Sequence, residues 1–124
     1  MVFTLWNFPE TGMLHITTKI YPEKNTELEW LFKSGNIYCT QNEPEGFRKI
    51  TYFLDRPDVM TIFTTTIIAS KKYPILLSNG NLVDSWEIDE TTHFTKWNDP
   101  FKKPSYLFAL VAGDLGKISD TFTT

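Results

Sequence analysis

The sequence predicts a mainly β fold, an antiparallel sheet or sandwich with one or two short helices, and three observations carry that prediction. Leu14, Ile16, Thr18 and Ile20 alternate with His15, Thr17 and Lys19, the period of two expected of a half-buried strand. Residues 59–69 are dense in Thr, Ile and Phe, side chains that suit a pleated surface. Asn79-Gly80 lies between the apolar runs Ile75-Leu76-Leu77 and Leu82-Val83, and this dipeptide is the commonest type I′ hairpin turn because both positions must take positive φ. Short strands with recurrent turn signals point to a sheet or sandwich.

Taken in order, the first strand covers 13–21 and ends at Pro22. Thr26 precedes Glu29 at capping-box spacing, with Leu28, Leu31 and Phe32 on one side, which predicts a short helical turn before Gly35. A brief strand follows at 37–40. From Gly46, the apolar residues Phe47, Ile50, Phe53 and Leu54 recur at intervals of three and four, a helical face stopped by Asp55-Arg56-Pro57. The long strand 59–69 and the 75–83 hairpin come next. Strands at 94–97 and 106–112 complete the set, separated by a proline-bounded loop over 99–104, and Gly113 closes the last.

With 124 residues the chain is expected to form one β-domain, 1–124, without a linker or repeat. A formal charge of -3 provides no footprint for phosphate backbones, so nucleic acid is excluded as a partner. Cys39 is the single cysteine, which rules out an internal disulfide and a thiolate-rich zinc site. The longest apolar runs are strand-sized, far short of the ~20 residues a helix needs to cross a bilayer, so no membrane span is expected. The opening Met-Val-Phe-Thr-Leu-Trp has no basic residues ahead of its apolar ones, and the cytoplasm is the expected compartment.

Chemistry of the chain's own is hard to find. His15 and His93, the only histidines, sit on separate predicted strands without the His-Glu-x-x-His spacing of a catalytic zinc, and read as solvated strand residues. No Gly-x-Ser-x-Gly elbow and no phosphate-cradling glycine loop is present. Cys39 precedes Thr40 inside a predicted strand and reads as a packing thiol. The segment that stands out is Thr-Gln-Asn-Glu-Pro-Glu-Gly-Phe-Arg at 40–48, two carboxylates and two amides where a strand gives way to the predicted helix. Glu43 or Glu45 could cap that helix, with Arg48 pairing one of them, or the cluster could bind a ligand; the residues alone favour capping.

The same segment resembles a family motif. Thr40, Gln41, Glu43, Arg48, Asp55 and Pro57 stand where the amino-terminal domain of the M1 zinc aminopeptidases, in its bacterial aminopeptidase N branch, has Thr-Gln, a Glu two residues on, and an Arg before Asp-x-Pro. The runs Gly-Phe-Arg-Lys-Ile-Thr-Tyr at 46–52, Leu-Asp-Arg-Pro-Asp-Val at 54–59, Leu-Leu-Ser-Asn-Gly-Asn at 76–81, Asp-Pro-Phe at 99–101 and Leu-Val-Ala-Gly-Asp at 110–114 look like that branch too. Asn42 departs from it, standing where the branch usually has Cys, and Pro44 where it usually has a small residue.

The resemblance implies a truncated M1 amino-terminal β-domain lacking the family's first strands and stopping near Thr124, about where the family passes into its catalytic domain. The His-Glu-x-x-His zinc ligands and the Gly-Ala-Met-Glu-Asn loop belong to that domain, so this chain is expected to bind no metal or cofactor and to be inactive alone, with zinc held elsewhere in the parent enzyme. It further implies that Glu43 helps bind the α-amine of a peptide substrate with a free amino terminus, and that Gln41 lies beside the first side-chain pocket. An alternative from another class is a non-catalytic β-sandwich that binds carbohydrate or protein through aromatics such as Trp86 and Trp97. A domain without its first strands should also leave a sheet edge unpaired, so self-association of the isolated chain is expected.

Overall fold

The computed structural model describes Asn7 and residues 9–123; most of the opening segment in which no leader is read lies outside them. Among the described residues seven strands form two antiparallel sheets: β1 (Trp30–Ser34), β2 (Ile37–Gln41), β3 (Thr61–Ser70), β4 (Ile75–Ser78), β5 (Asn81–Glu87), β6 (Thr92–Lys103) and β7 (Leu110–Gly113). One sheet runs β1-β2-β7-β4 and the other β3-β6-β5, which is the mainly β, antiparallel architecture expected. Helical structure among the described residues is limited to three 3-10 turns, Pro22–Lys24, Phe47–Lys49 and Ser105–Leu107. Among the described residues no helix is long and apolar enough to cross a membrane.

The sheets meet where Ile67 of β3, Leu76 of β4 and Ala112 of β7 are buried against Tyr38 and Trp97. Polar side chains tie the layers as well: the Leu76 carbonyl accepts from Thr95 Oγ1 at 3.3 Å and from Trp97 Nε1 at 3.2 Å. Bonding the indole N–H lets so large a ring be covered without leaving a dry donor. A second apolar centre is built of edge-on aromatics, with Phe47 5.1 Å from both Phe53 and Phe108 and 6.0 Å from Phe63.

Several sequence expectations are corrected. The 13–21 segment pairs with no strand among the described residues; Met13 is 96% exposed, and the segment is held by the Thr18 hydroxyl bonding the Ile50 carbonyl at 3.0 Å. Alternation makes one face apolar but cannot supply a ladder partner. The helical turn at 26–35 is replaced by β1. Asn25 takes over the local backbone groups, accepting from Glu27 N at 3.0 Å and donating to the carbonyls of Glu29 at 2.7 Å and Leu31 at 3.0 Å. A side chain that engages the backbone in this way competes with helical bonding.

The helix over 46–54 shrinks to the turn Phe47–Lys49. Its three-and-four spacing reflects Phe47 and Phe53 converging on the aromatic centre from an irregular path. Asn79-Gly80 is no hairpin: β4 pairs with β7 and β5 with β6, so the dipeptide is a corner between sheets. Asn79 is committed to the Leu107 carbonyl at 3.0 Å and the Ala109 N–H at 2.7 Å, while Gly80 alone of the pair takes positive φ, 87°. The loop over 99–104 is largely strand, because β6 runs on to Lys103. Pro100 is tolerated there because the register with β3 shifts between Thr61 and Phe63 and β5 is paired only as far as Asn98. The 106–112 strand is confined to Leu110–Gly113, preceded by the turn Ser105–Leu107.

Candidate functional site

The segment singled out in the sequence becomes a tight turn between β2 and Phe47–Lys49. Gln41 ends β2 opposite Trp30. Asn42 is buried, its amide donating to the Phe108 carbonyl at 2.8 Å, and its own carbonyl accepts from Gly46 N at 3.0 Å. Gly46 is required for space rather than for φ: a Cβ there would lie 2.8 Å from Asn42 Cα and 3.0 Å from the Gln41 carbonyl oxygen. Glu45 completes the reversal at φ 65°.

The far end of the turn is clamped by Asp55. Its Oδ2 accepts from Arg48 N at 2.9 Å and Arg48 Nε at 3.2 Å, Arg48 Nη2 donates to the Asp55 carbonyl at 2.6 Å, and the buried Ser105 hydroxyl donates to Oδ1. Burial by itself would push the Asp55 carboxyl up. The Ser105 hydrogen bond, the Arg48 backbone and side-chain bonds and the guanidinium charge outweigh it and hold the group below the usual carboxylate range.

Beside this clamp lies a cavity of about 320 Å³ lined by Glu43, Pro44, Glu45, Asp55, Arg56, Pro57 and Tyr106. Its charges are unevenly engaged. Arg56 forms a fork with Asp58 at 3.1 and 2.8 Å, Glu45 lies 3.5 Å from Arg48, and both oxygens of Asp55 accept hydrogen bonds from Arg48 or Ser105. Glu43 is exposed and has no hydrogen bond or ion pair among the described residues. The capping reading is therefore overturned: Phe47–Lys49 has Gly46 as its N-cap, no side-chain cap and no acidic residue in its first turn. Arg48 does meet Glu45, as anticipated, but its principal partner is Asp55. Four carboxylates against two guanidinium groups leave this corner of the molecule acidic, which suits a cation.

Gln41 is exposed and does not line the cavity. Ser105 was not legible as a site residue: it is fifty positions from Asp55, and only the fold brings them together. The remaining candidates lie apart. His15 is exposed outside any strand; His93, far from solvated, is half-buried with Nε2 2.9 Å from the Tyr73 carbonyl. Cys39 is half-buried in β2, and burial pushes its thiol up, away from nucleophilic character. Among the described residues no three His, Cys, Asp or Glu side chains gather as metal ligands. Trp86 is 70% exposed and registered with Phe94, whereas Trp97 bonds Thr95 and packs inward; both tryptophans border one cavity together with Leu76, Leu82 and Thr95.

Fold and site together define a two-sheet β-domain that presents an unpaired carboxylate on a clamped turn. The chain belongs to the Peptidase M1 N-terminal domain family, whose pattern matches residues 14–107. It is 59% identical over 119 residues to aminopeptidase N of Escherichia coli (strain K12), which covers 95% of this chain and 14% of that protein. Aminopeptidase N of Haemophilus influenzae is 55% identical over 112 residues, covering 90% of the chain and 13% of the relative. The crystal structure of Legionella pneumophila aminopeptidase A in complex with aspartic acid superposes with a TM-score of 0.72 at 45% identity, over 74% of this chain and 11% of that one. The chain thus spans 14% or less of the length of these relatives. The family read from Thr40, Gln41, Glu43, Arg48, Asp55 and Pro57 is the family found.

Proposed function

We propose that this chain is the substrate-anchoring part of a zinc aminopeptidase that removes amino-terminal residues from peptides, with Glu43 accepting the free α-ammonium. The observation that supports this reading is the unpaired Glu43 carboxylate, held on a fixed turn beside a cavity in which the neighbouring charges already have partners. An ammonium leaving water needs acceptors and negative charge, and a charge-assisted bond contributes roughly 1.5–3 kcal/mol. Because Asn42, Gly46 and Arg48 hold the turn, little backbone freedom is lost when the cation arrives. Anchoring the amine at a fixed place also selects the first peptide bond for cleavage, which is the logic of an exopeptidase.

The described residues offer no cluster fit for zinc, so no chemical step is assigned to this chain. The metal and the groups that activate water would come from the much longer part of the protein that the relatives possess. Gln41, exposed at the end of β2, would border the first side-chain pocket from outside the cavity. Grafting residues 1–124 into the E. coli enzyme in place of the aligned segment provides a test. Glu43→Ala in that chimera should lower kcat/KM for free-amine substrates by about tenfold to a hundredfold. An unchanged kcat/KM would remove Glu43 from the site.

A further inference from the structure

Glu43 has no side-chain contact that aims it, so its direction is set by the backbone on either side. The incoming side is fixed by Asn42, whose amide bonds the Phe108 carbonyl at 2.8 Å. The outgoing side is fixed at Arg48, and there one carboxylate does the holding. Asp55 is 5% exposed and takes the Arg48 N–H and Nε on one oxygen and the Ser105 hydroxyl on the other, while its own carbonyl takes Arg48 Nη2 at 2.6 Å. Arg48 in turn reaches back to Glu45 at 3.5 Å. Asp55 and the residue after Ser105, Tyr106, both line the cavity that Glu43 borders. The clamp therefore fixes the turn and the opposite wall relative to each other.

The same bonds have an electrostatic effect. Asp55 would be a second carboxylate competing with Glu43 for an incoming cation. With its oxygens occupied by Arg48 and Ser105, it is neutralised in place, and Glu45 is drawn toward Arg48. Of the carboxylates that line this cavity, Glu43 is left as the unengaged acceptor.

We infer that Asp55, acting through Arg48 and Ser105, is a positioning residue that holds the turn 42–48 so that Glu43, alone among the carboxylates of this turn, is left to face the ligand's amine. This rests on the anchoring role proposed for Glu43. Ser105 is the second half of the device: its hydroxyl satisfies the oxygen that would otherwise turn toward the cavity.

The experiment uses the chimera with the E. coli enzyme and two competitive inhibitors, one with a free α-amine and its desamino analogue. Four variants are compared with the parent: Asp55→Asn, Ser105→Ala, Glu43→Ala and the double variant Glu43→Ala/Ser105→Ala. We expect Ser105→Ala and Asp55→Asn to weaken the amine inhibitor by about tenfold or more while leaving the desamino analogue unaltered. In the Glu43→Ala background the Ser105→Ala change should have no further effect on the amine inhibitor, a non-additivity that a merely structural role would not produce. Equal weakening of both inhibitors, or the same loss with and without Glu43, would overturn the positioning role while leaving the anchor standing. Glu43→Ala leaving the preference for the amine inhibitor unchanged would remove the anchor, and the positioning role with it. Should Asp55→Asn fail to fold, the milder Ser105→Ala carries the test alone.

Discussion

Arg48 and Asp55, seven residues apart, are joined by three hydrogen bonds: Arg48 N to Oδ2 at 2.9 Å, Nε to Oδ2 at 3.2 Å, and Nη2 to the Asp55 carbonyl at 2.6 Å. Beyond the 3-10 turn Phe47–Lys49 no regular element covers this stretch, and the pair ties its two ends together. Removing one member of a buried ion pair strands the other's charge, at a cost of roughly 3–5 kcal/mol. Arg48 is 44% exposed and can recover water, which places Asp55→Ala near the bottom of that range. Chemical denaturation of the parent and variant chains measures the difference.

The same pair sets a pH dependence. The folded Asp55 carboxyl titrates below its unfolded value, so its stabilisation is complete above the ordinary carboxylate pKa and is lost as pH falls through the lower folded value. As pH falls below the ordinary carboxylate range, the parent should therefore lose more stability than Asp55→Asn, in which this linkage is absent. Parallel acid-melting curves for the two would contradict the assignment.

Two glycines mark close approaches that side chains cannot share. A Cβ at Gly80 would stand 2.2 Å from the Asn98 carbonyl oxygen with φ at 87°, so Gly80→Ala should destabilise by at least roughly 2 kcal/mol. At Gly46 the obstructed atoms are the backbone of Gln41 and Asn42, 3.0 and 2.8 Å from the added carbon. Gly46→Ala should therefore weaken the binding of a free-amine inhibitor as well as lower the melting temperature, whereas Gly80→Ala should affect stability alone.

The second sheet carries an uncovered apolar row. Trp86, Phe94 and Ile68 are in direct register across β5, β6 and β3, with Trp86 70% and Ile68 63% exposed, and Leu82 and Val83 on the edge strand β5 are about half exposed. The isolated chain should self-associate at high concentration in light scattering, and Trp86→Lys with Ile68→Lys should shift it toward monomer. A parent that stays monomeric throughout would contradict this.

How far the sequence discloses these features depends on whether a feature is local. β2, β3 and β4 are written in their own residues, as β-branched and aromatic runs, and they are found within a few positions of where composition places them. Pairing is not local. Asn79-Gly80 signals a turn correctly, but the partner of Ile75–Ser78 is Leu110–Gly113, more than thirty residues on, and no dipeptide can specify that. The two other misreadings, at 13–21 and 46–54, have separate causes: the alternation at 13–21 finds no ladder partner among the described residues, with Leu14 56% and Ile16 37% exposed, whereas the helical spacing over 46–54 records side chains such as Phe47 and Phe53 that an irregular path packs against aromatics. At the site, Glu43 was conspicuous as an acidic residue in a polar cluster, yet local logic assigned it to a helix end that is not there. Ser105 carried no signal at all, since a serine becomes informative only when the fold buries it against a carboxylate.

Whether Glu43 receives the α-ammonium of a peptide is decided by a crystal structure of the chimera with a free-amine inhibitor. The inhibitor's nitrogen should lie within about 2.7–3.2 Å of a Glu43 carboxylate oxygen, with Asp55 still bound to Arg48 and Ser105. A nitrogen held wholly by other groups, with Glu43 turned to solvent, would contradict it.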